Sequence, residues 1–193
     1  MSPKSLTDEK INILVQKMLV KKEKTLRRTI KIKFCEQTFC AAKYKTIIEL
    51  KKYSLATRRK VIKQFLIATF KKNTILTSDG VKIGVTDNSA SKLSRLAYNF
   101  QQEIALFSDE LLKVATFITK TNSYKKKKGE FRYYISYIFL ERKIYGVVLN
   151  VFTDANGSRL YDINKISQIT ASGIIHGSSG NNNILINNVS DVK

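Results

Sequence analysis

The chain has 193 residues, of which 43% are apolar and 10% aromatic, and its 35 Lys and Arg against 15 Asp and Glu give a net charge of +20. That length suits one domain or two small ones, and that apolar content excludes a disordered tail. A charge this large repels itself in the compact state, and its commonest use is to bind a polyanion with release of counterions. Nucleic acid is the first candidate partner, with an acidic protein or an anionic membrane surface as the alternatives.

The charge is lopsided. Residues 1–75 hold 20 of the cations and 5 of the acids, a surplus of 15, which leaves +5 for residues 76–193. No run of 18 apolar residues occurs, so no membrane span is expected, and the opening residues lack the apolar core of a secretion signal, so a cytoplasmic location is expected. The single proline, Pro3, precedes every core element and leaves helices free to run through residues 5–72.

Ser5 or Thr7 offers an N-cap, Asp8 and Glu9 suit a first helical turn, and Ile11, Leu14, Val15, Met18 and Leu19 recur at helical spacing. This predicts an amphipathic helix whose polar side continues into Lys21, Lys22, Lys24, Arg27 and Arg28. Residues 29–34 alternate in a way that fits a short strand or more helix, and the pattern does not separate the two. Cys35 and Cys40 have no second cysteine pair and no neighbouring His to complete a zinc site, so a reduced, buried pair is expected over a disulfide or half of an intermolecular metal site. Residues 44–72 read as two helices with a break near Tyr53 and Ser54. Lys51, Lys52, Arg58, Arg59, Lys60 and Lys63 lie between their apolar positions. Such a pair can lie on a nucleic-acid backbone, or it is an ordinary helical hairpin with a Lys-rich outer face.

A composition break at residues 71–84 marks the expected domain boundary, and Asp79-Gly80 between short apolar runs predicts a tight hairpin. Ser89 or Ser91 then caps a helix carrying Leu93, Leu96, Ala97 and Phe100, and a second helix runs from Phe107 to Ile118. Lys125, Lys126, Lys127 and Lys128 form a lysine run that is a solvated loop or a grip on a phosphate chain. Residues 131–140 and 144–152 are dense in Tyr, Ile, Val and Phe and predict an antiparallel hairpin, with a third strand at residues 160–163. The Ser, Gly and Asn-rich residues from 169 to 193 read as a polar tail.

The order of a small strand pair, helices, two long strands and then Gly157, Leu160, Tyr161, Asp162 and Ile163 resembles the nuclease-like domains of phage and mobile-element proteins in the barnase, EndoU, colicin and RelE superfamily. The resemblance covers about residues 75–168. It implies metal-independent RNA cleavage, in which the ribose 2′-OH attacks its own phosphate and needs a base, cations and an acid. Many members use His, and here the one His, His176, lies in the polar tail. RelE-like members use Lys, Arg and Tyr, which implies Lys92 and Arg132 on the phosphate, Arg95 beside Lys92 on one helix face, and Tyr134 or Tyr161 as hydroxyl donor.

No phosphate-binding glycine loop, nucleophile elbow or zinc motif occurs, and no cofactor or metal is expected. Asp154 and Asp162 raise a two-metal nuclease as an alternative, although Asp154 with Asn156 and Gly157 is accounted for by turn chemistry. The expected protein is α+β, with a basic helical module over residues 1–74, a nuclease-like domain over residues 75–168 whose helices pack on a small antiparallel meander sheet, and a tail over residues 169–193. Its expected function is RNA-directed, with RNA favoured over DNA, as a metal-independent ribonuclease-type toxin or effector. The alternatives are a non-enzymatic nucleic-acid-binding protein and a basic interaction protein neutralised by an acidic inhibitor.

Overall fold

The structure, a computed structural model, describes residues 3–25, 28–34, 37–44, 47–73, 75–97, 99–122, 128–140, 143–169 and 175–177, with the backbone alone for residues 25, 28–34, 37–44, 99–100, 140, 143, 164–169 and 175–177. Helix α1 (Asp8–Thr25) carries Asp8 and Glu9 in its first turn and Lys22 and Lys24 in its last, the signs that suit the helix dipole. It buries Ile11, Val15 and Met18.

The expected helical run through residues 5–72 is broken by a hairpin. Strands β1 (Arg28–Phe34) and β2 (Gln37–Tyr44) pair antiparallel. The alternating pattern of residues 29–34 was compatible with either state, and β2, which pairs with them, gains a second partner later in the chain, so tertiary pairing decides what local pattern left open. A 3-10 turn at Leu50–Lys52 precedes α2 (Leu55–Lys72), and Ser54 caps that helix by accepting from the Thr57 N–H at 3.3 Å. Lys60 pairs with Asp8 near the starts of the two helices and Lys72 with Glu23 near their ends. Helices α1 and α2 therefore run side by side in the same direction.

Strands β3 (Ile75–Leu76) and β4 (Lys82–Gly84) form the hairpin expected around Asp79-Gly80, with Gly80 at a φ of 78° that favours glycine. Helix α3 (Asp87–Leu93) is capped by Thr86 in a reciprocal capping box with Ser89. It stops short of Phe100, which lies in a separate helix, α4 (Asn99–Ala105). Helix α5 (Ser108–Lys113) stops short of Ile118, because the β-branched residues from Thr116 onward form strand β5 (Thr116–Asn122).

Strands β6 (Glu130–Leu140), β7 (Lys143–Asp154) and β8 (Gly157–Ile169) follow, each antiparallel to the next. Strands β5 and β2 share one edge of β6, and β4 and β9 (Ile175–Gly177) share the outer edge of β8. Among the described residues the sheet has nine strands and is mixed, since β2 with β6 and β4 with β8 are parallel. The small antiparallel sheet read from the sequence is only its middle. Part of the expected tail is also structured, because β9 adds to β8.

The sheet curls, and the turn between β3 and β4 meets the start of β5 across it, with Ser78 Oγ donating to the Ala115 carbonyl at 2.6 Å. Tyr134, Ile138, Val147, Leu149, Val151, Leu160 and Ile163 on one sheet face join the buried residues of the helices in a continuous cluster that begins at Ile11. This core crosses residue 75, where the sequence placed a boundary. Lys22 of α1 enters it. Its Nζ meets the Asp109 carboxylate and the Leu106 carbonyl (2.8 Å) and lies 5.4 Å from the Phe65 ring centroid. Cys35, Lys125, Lys126 and Lys127 lie outside the described residues, as do the side chains of Cys40 and His176.

Candidate nucleic-acid interface

Alternation along β6 sends Glu130, Arg132 and Tyr134 to the core side of the sheet and Phe131 and Tyr133 to the other. On the core side Arg132 is fully engaged. Its Nε donates to Tyr134 Oη at 3.1 Å, one terminal nitrogen to Glu130 at 3.1 Å and the other to Asp79 at 2.8 Å, with the guanidinium 5.0 Å over the Phe117 ring. Tyr134 Oη also donates to Asp79 at 3.3 Å, and Lys120 pairs with Glu130 at 3.2 Å. Two cations and two carboxylates cancel.

The protonation states follow from these contacts. Burial pushes the Asp79 carboxyl up, but hydrogen bonds from Thr77 and Arg132 outweigh it and hold the group below its ordinary value. The hydrogen bond from Lys120 lowers Glu130, against burial and with help from Arg132. Burial opposes the Arg132 charge, yet its bonds to Tyr134, Asp79 and Glu130 hold it protonated more firmly than usual. Burial raises the Tyr134 phenol, whose ring is fully enclosed. Arg132 and Tyr134 are therefore brought together, but as a closed brace that ties β6 to the β3–β4 turn.

The second group lies on the opposite face. Phe131 stands across from Phe152 with ring centroids 4.9 Å apart, and Tyr161 lies 5.3 Å from Phe131. Lys92, reaching from the last turn of α3, holds its Nζ 4.4 Å from the Tyr161 ring centroid and 2.6 Å from Asp162. Arg159 covers the Phe152 ring at 4.8 Å and forks onto Asp154 at 3.0 and 2.6 Å. The carboxylates considered for a two-metal site are thus each engaged by a cation. Asp154 also accepts from the Asn156 N–H at 2.9 Å, the turn chemistry expected of it.

Gly129 enters this side so closely that an added Cβ would lie 2.5 Å from the Thr153 carbonyl and 2.7 Å from the Phe152 ring. The approach sets the end of β6 against the aromatic cluster, with Lys128 exposed beside it.

Four of the five residues expected to carry catalysis therefore divide between two faces, and the fifth lies on neither. Arg132 with Tyr134 is on one, Lys92 with Tyr161 on the other, and Arg95 is exposed in the turn after α3. Of the basic positions, Lys52 pairs with Glu49 at 2.8 Å, Lys60 with Asp8 at 2.8 Å and Lys63 with Asp87 at 2.7 Å. Arg58 is half-buried, and Lys51 and Arg59 are exposed without an acidic partner among the described residues. A cleft of about 240 Å³ lies between Lys21, Ile48, Glu49, Lys52 and Tyr53, and none of the five expected catalytic residues lines it.

Comparison with protein-family models, with curated proteins and with solved structures gives no match. Sequence reasoning missed Asp79, seen only as a turn residue, and Glu130, Phe131, Phe152 and Arg159. The alternation of residues 130–134 already separated Phe131 and Tyr133 from Arg132 and Tyr134, but no local signal announces a partner 53 residues away such as Asp79.

Proposed function

We propose that this chain binds nucleic acid without cleaving it, with RNA ahead of DNA on the strength of the family resemblance. The observation that carries the reading is the run from Lys51 to Lys72. It holds Lys51, Lys52, Arg58, Arg59, Lys60, Lys63, Lys71 and Lys72 and no Asp or Glu. Acids from elsewhere neutralise four of these, while Lys51, Arg59 and Lys71 are exposed with no acidic partner among the described residues. Exposed, uncompensated cations, here Lys51 in the 3-10 turn and Arg59 and Lys71 on α2, are what phosphate contacts require.

Catalysis has weaker support. Cleavage needs an acid or base within reach of the phosphate and a cation aimed at the developing charge. Tyr134 is enclosed, Arg132 already bonds three partners, and Lys92 and Arg159 each face a carboxylate.

The test compares wild type with a Lys51→Ala, Arg59→Ala, Lys71→Ala variant on labelled RNA across a salt series. Each lost phosphate contact flattens the log–log salt slope by about 0.7–0.9, so the triple variant is expected to flatten it by about 2 to 3. RNA incubated with either protein stays intact with and without added divalent metal. Cleavage by wild type would overturn the non-enzymatic reading, and an unchanged slope would remove α2 from the interface.

A further inference from the structure

We infer that the sheet face opposite the helices is a stacking platform for unpaired nucleotides, so that the ligand under the proposed function is single-stranded. The inference rests on that function and names the form of its ligand.

The platform has two rows. Thr121, Phe131, Phe152 and Arg159 stand opposite one another across β5, β6, β7 and β8, and Thr119, Tyr133, Asn150 and Asp162 form the next row. A register shift in β8 leaves Tyr161 beside Asp162 without a partner of its own in β7. Facing residues on one side of a sheet lie within side-chain reach, so Tyr133 and the Tyr161–Lys92 pair flank Asn150. Tyr134, Ser136 and Ile138 on the helix side are buried, whereas Phe131, Tyr133, Ile135, Tyr137 and Phe139 are each partly open and Tyr161 is 36% exposed; β7 between them is closed, with Asn150 at 6% and Phe152 at 3%, so the platform rings open to a base are Phe131, Tyr133 and Tyr161.

Two features point to a base as the occupant. The first is the Asn150 side chain, 6% exposed, whose Oδ1 has no hydrogen-bond partner among the described residues. A buried acceptor left unpaired is costly, and the edge of an unpaired base supplies the N–H it lacks. In a duplex that edge is already paired.

The second is the arrangement of rings and cations. Aromatic side chains take bases of any sequence on their faces while flanking cations track the backbone. Tyr161 already accepts a cation on its ring, and Lys92 and Arg159 sit at the rim with Lys128 near the Phe152 end. The platform cations are locally balanced by Asp154 and Asp162, so the attraction for phosphate comes from the +20 chain as a whole and from α2. Helix α3 links the two regions. Lys63 of α2 meets its first turn at Asp87, and Lys92 leaves its last turn, about 8 Å further along the axis.

The experiment measures binding of a labelled 20-nucleotide single strand and of a blunt duplex of the same sequence, at matched salt, to wild type, Tyr161→Ala and Tyr161→Phe. Wild type is expected to prefer the single strand by at least about tenfold. Losing one stacked base costs about 1–3 kcal/mol, so Tyr161→Ala is expected to weaken single-strand binding by about 5- to 150-fold while Tyr161→Phe retains it. Duplex affinity and its salt slope stay unchanged in all three proteins. Equal loss on both ligands, or no loss on the single strand, overturns the platform while leaving the proposed function intact. Failure of wild type to bind either ligand overturns both.

Discussion

Replacing Lys22 with alanine is expected to cost about 3–5 kcal/mol in unfolding free energy, the effect of leaving one partner of a buried ion pair uncompensated. Lys22 and Asp109 have side chains only 7% and 3% exposed, and the Lys22 ammonium also holds the Leu106 carbonyl. The rings of Phe65 and Phe107 lie 5.4 and 5.7 Å away, so Asp109 would face an apolar wall with no cation to offset it. The double variant Lys22→Met, Asp109→Leu is expected to recover most of the loss, because well-packed apolar residues of similar volume replace such pairs with little penalty. Chemical denaturation of the three proteins measures both effects. A single-variant cost below about 1 kcal/mol would mean that water reaches Asp109. Because residues 22 and 109 lie on either side of residue 75, the same experiment probes how α1 and α5 are coupled, and one unfolding transition is expected.

Arg132→Ala is expected to lower stability by about 2–3 kcal/mol, since Arg132 makes charge-assisted bonds to both Asp79 and Glu130 and one to Tyr134. Nucleic-acid affinity below the melting temperature is expected to hold. The effect depends on pH with a definite sign. Asp79 and Glu130 are held below their ordinary values of 3.8 and 4.5. A depressed carboxyl contributes stability that is fully present above its unfolded value and is lost as pH falls through the folded one. Wild type therefore loses stability below about pH 4.5, and Arg132→Ala loses less over the same range because part of the depression has already gone. Thermal melts from neutral to acid pH check this. Parallel pH profiles would show that Arg132 is not the source, and a loss of affinity as large as the loss of stability would return Arg132 to the binding surface.

Much of the fold was legible because its signals are local. The break near Tyr53 and Ser54, the Asp79-Gly80 turn and the long β6–β7 hairpin each follow from a few neighbouring residues, and each is present. Helix ends after Leu93 and Lys113 were harder, since the apolar spacing continues past both and only the capping and pairing of later residues ends them. Residues 29–34 carried an ambiguous pattern that is resolved by pairing with β2, which β6 in turn holds from about a hundred positions away.

The site was legible only in part, for the same reason. Arg132 and Tyr134 were paired by strand alternation, and Lys92 and Tyr161 were singled out, but the Asp79 carboxylate that occupies Arg132 and the pairing of β6 and β8 through β7 that sets Tyr161 on the face opposite Tyr134 come from long-range packing. Charge was the most transferable signal. The surplus in residues 1–75 is visible by counting, and the absence of acids from α2 needs no structure.

The central claim is tested most directly by the affinity of wild-type protein for a labelled single-stranded RNA as salt rises from 50 to 200 mM. With about five phosphates neutralised, the log–log slope is near −3.5 and the affinity falls on the order of a hundredfold across that range. That fall is the predicted result. An affinity that stays constant over the same range would contradict the account.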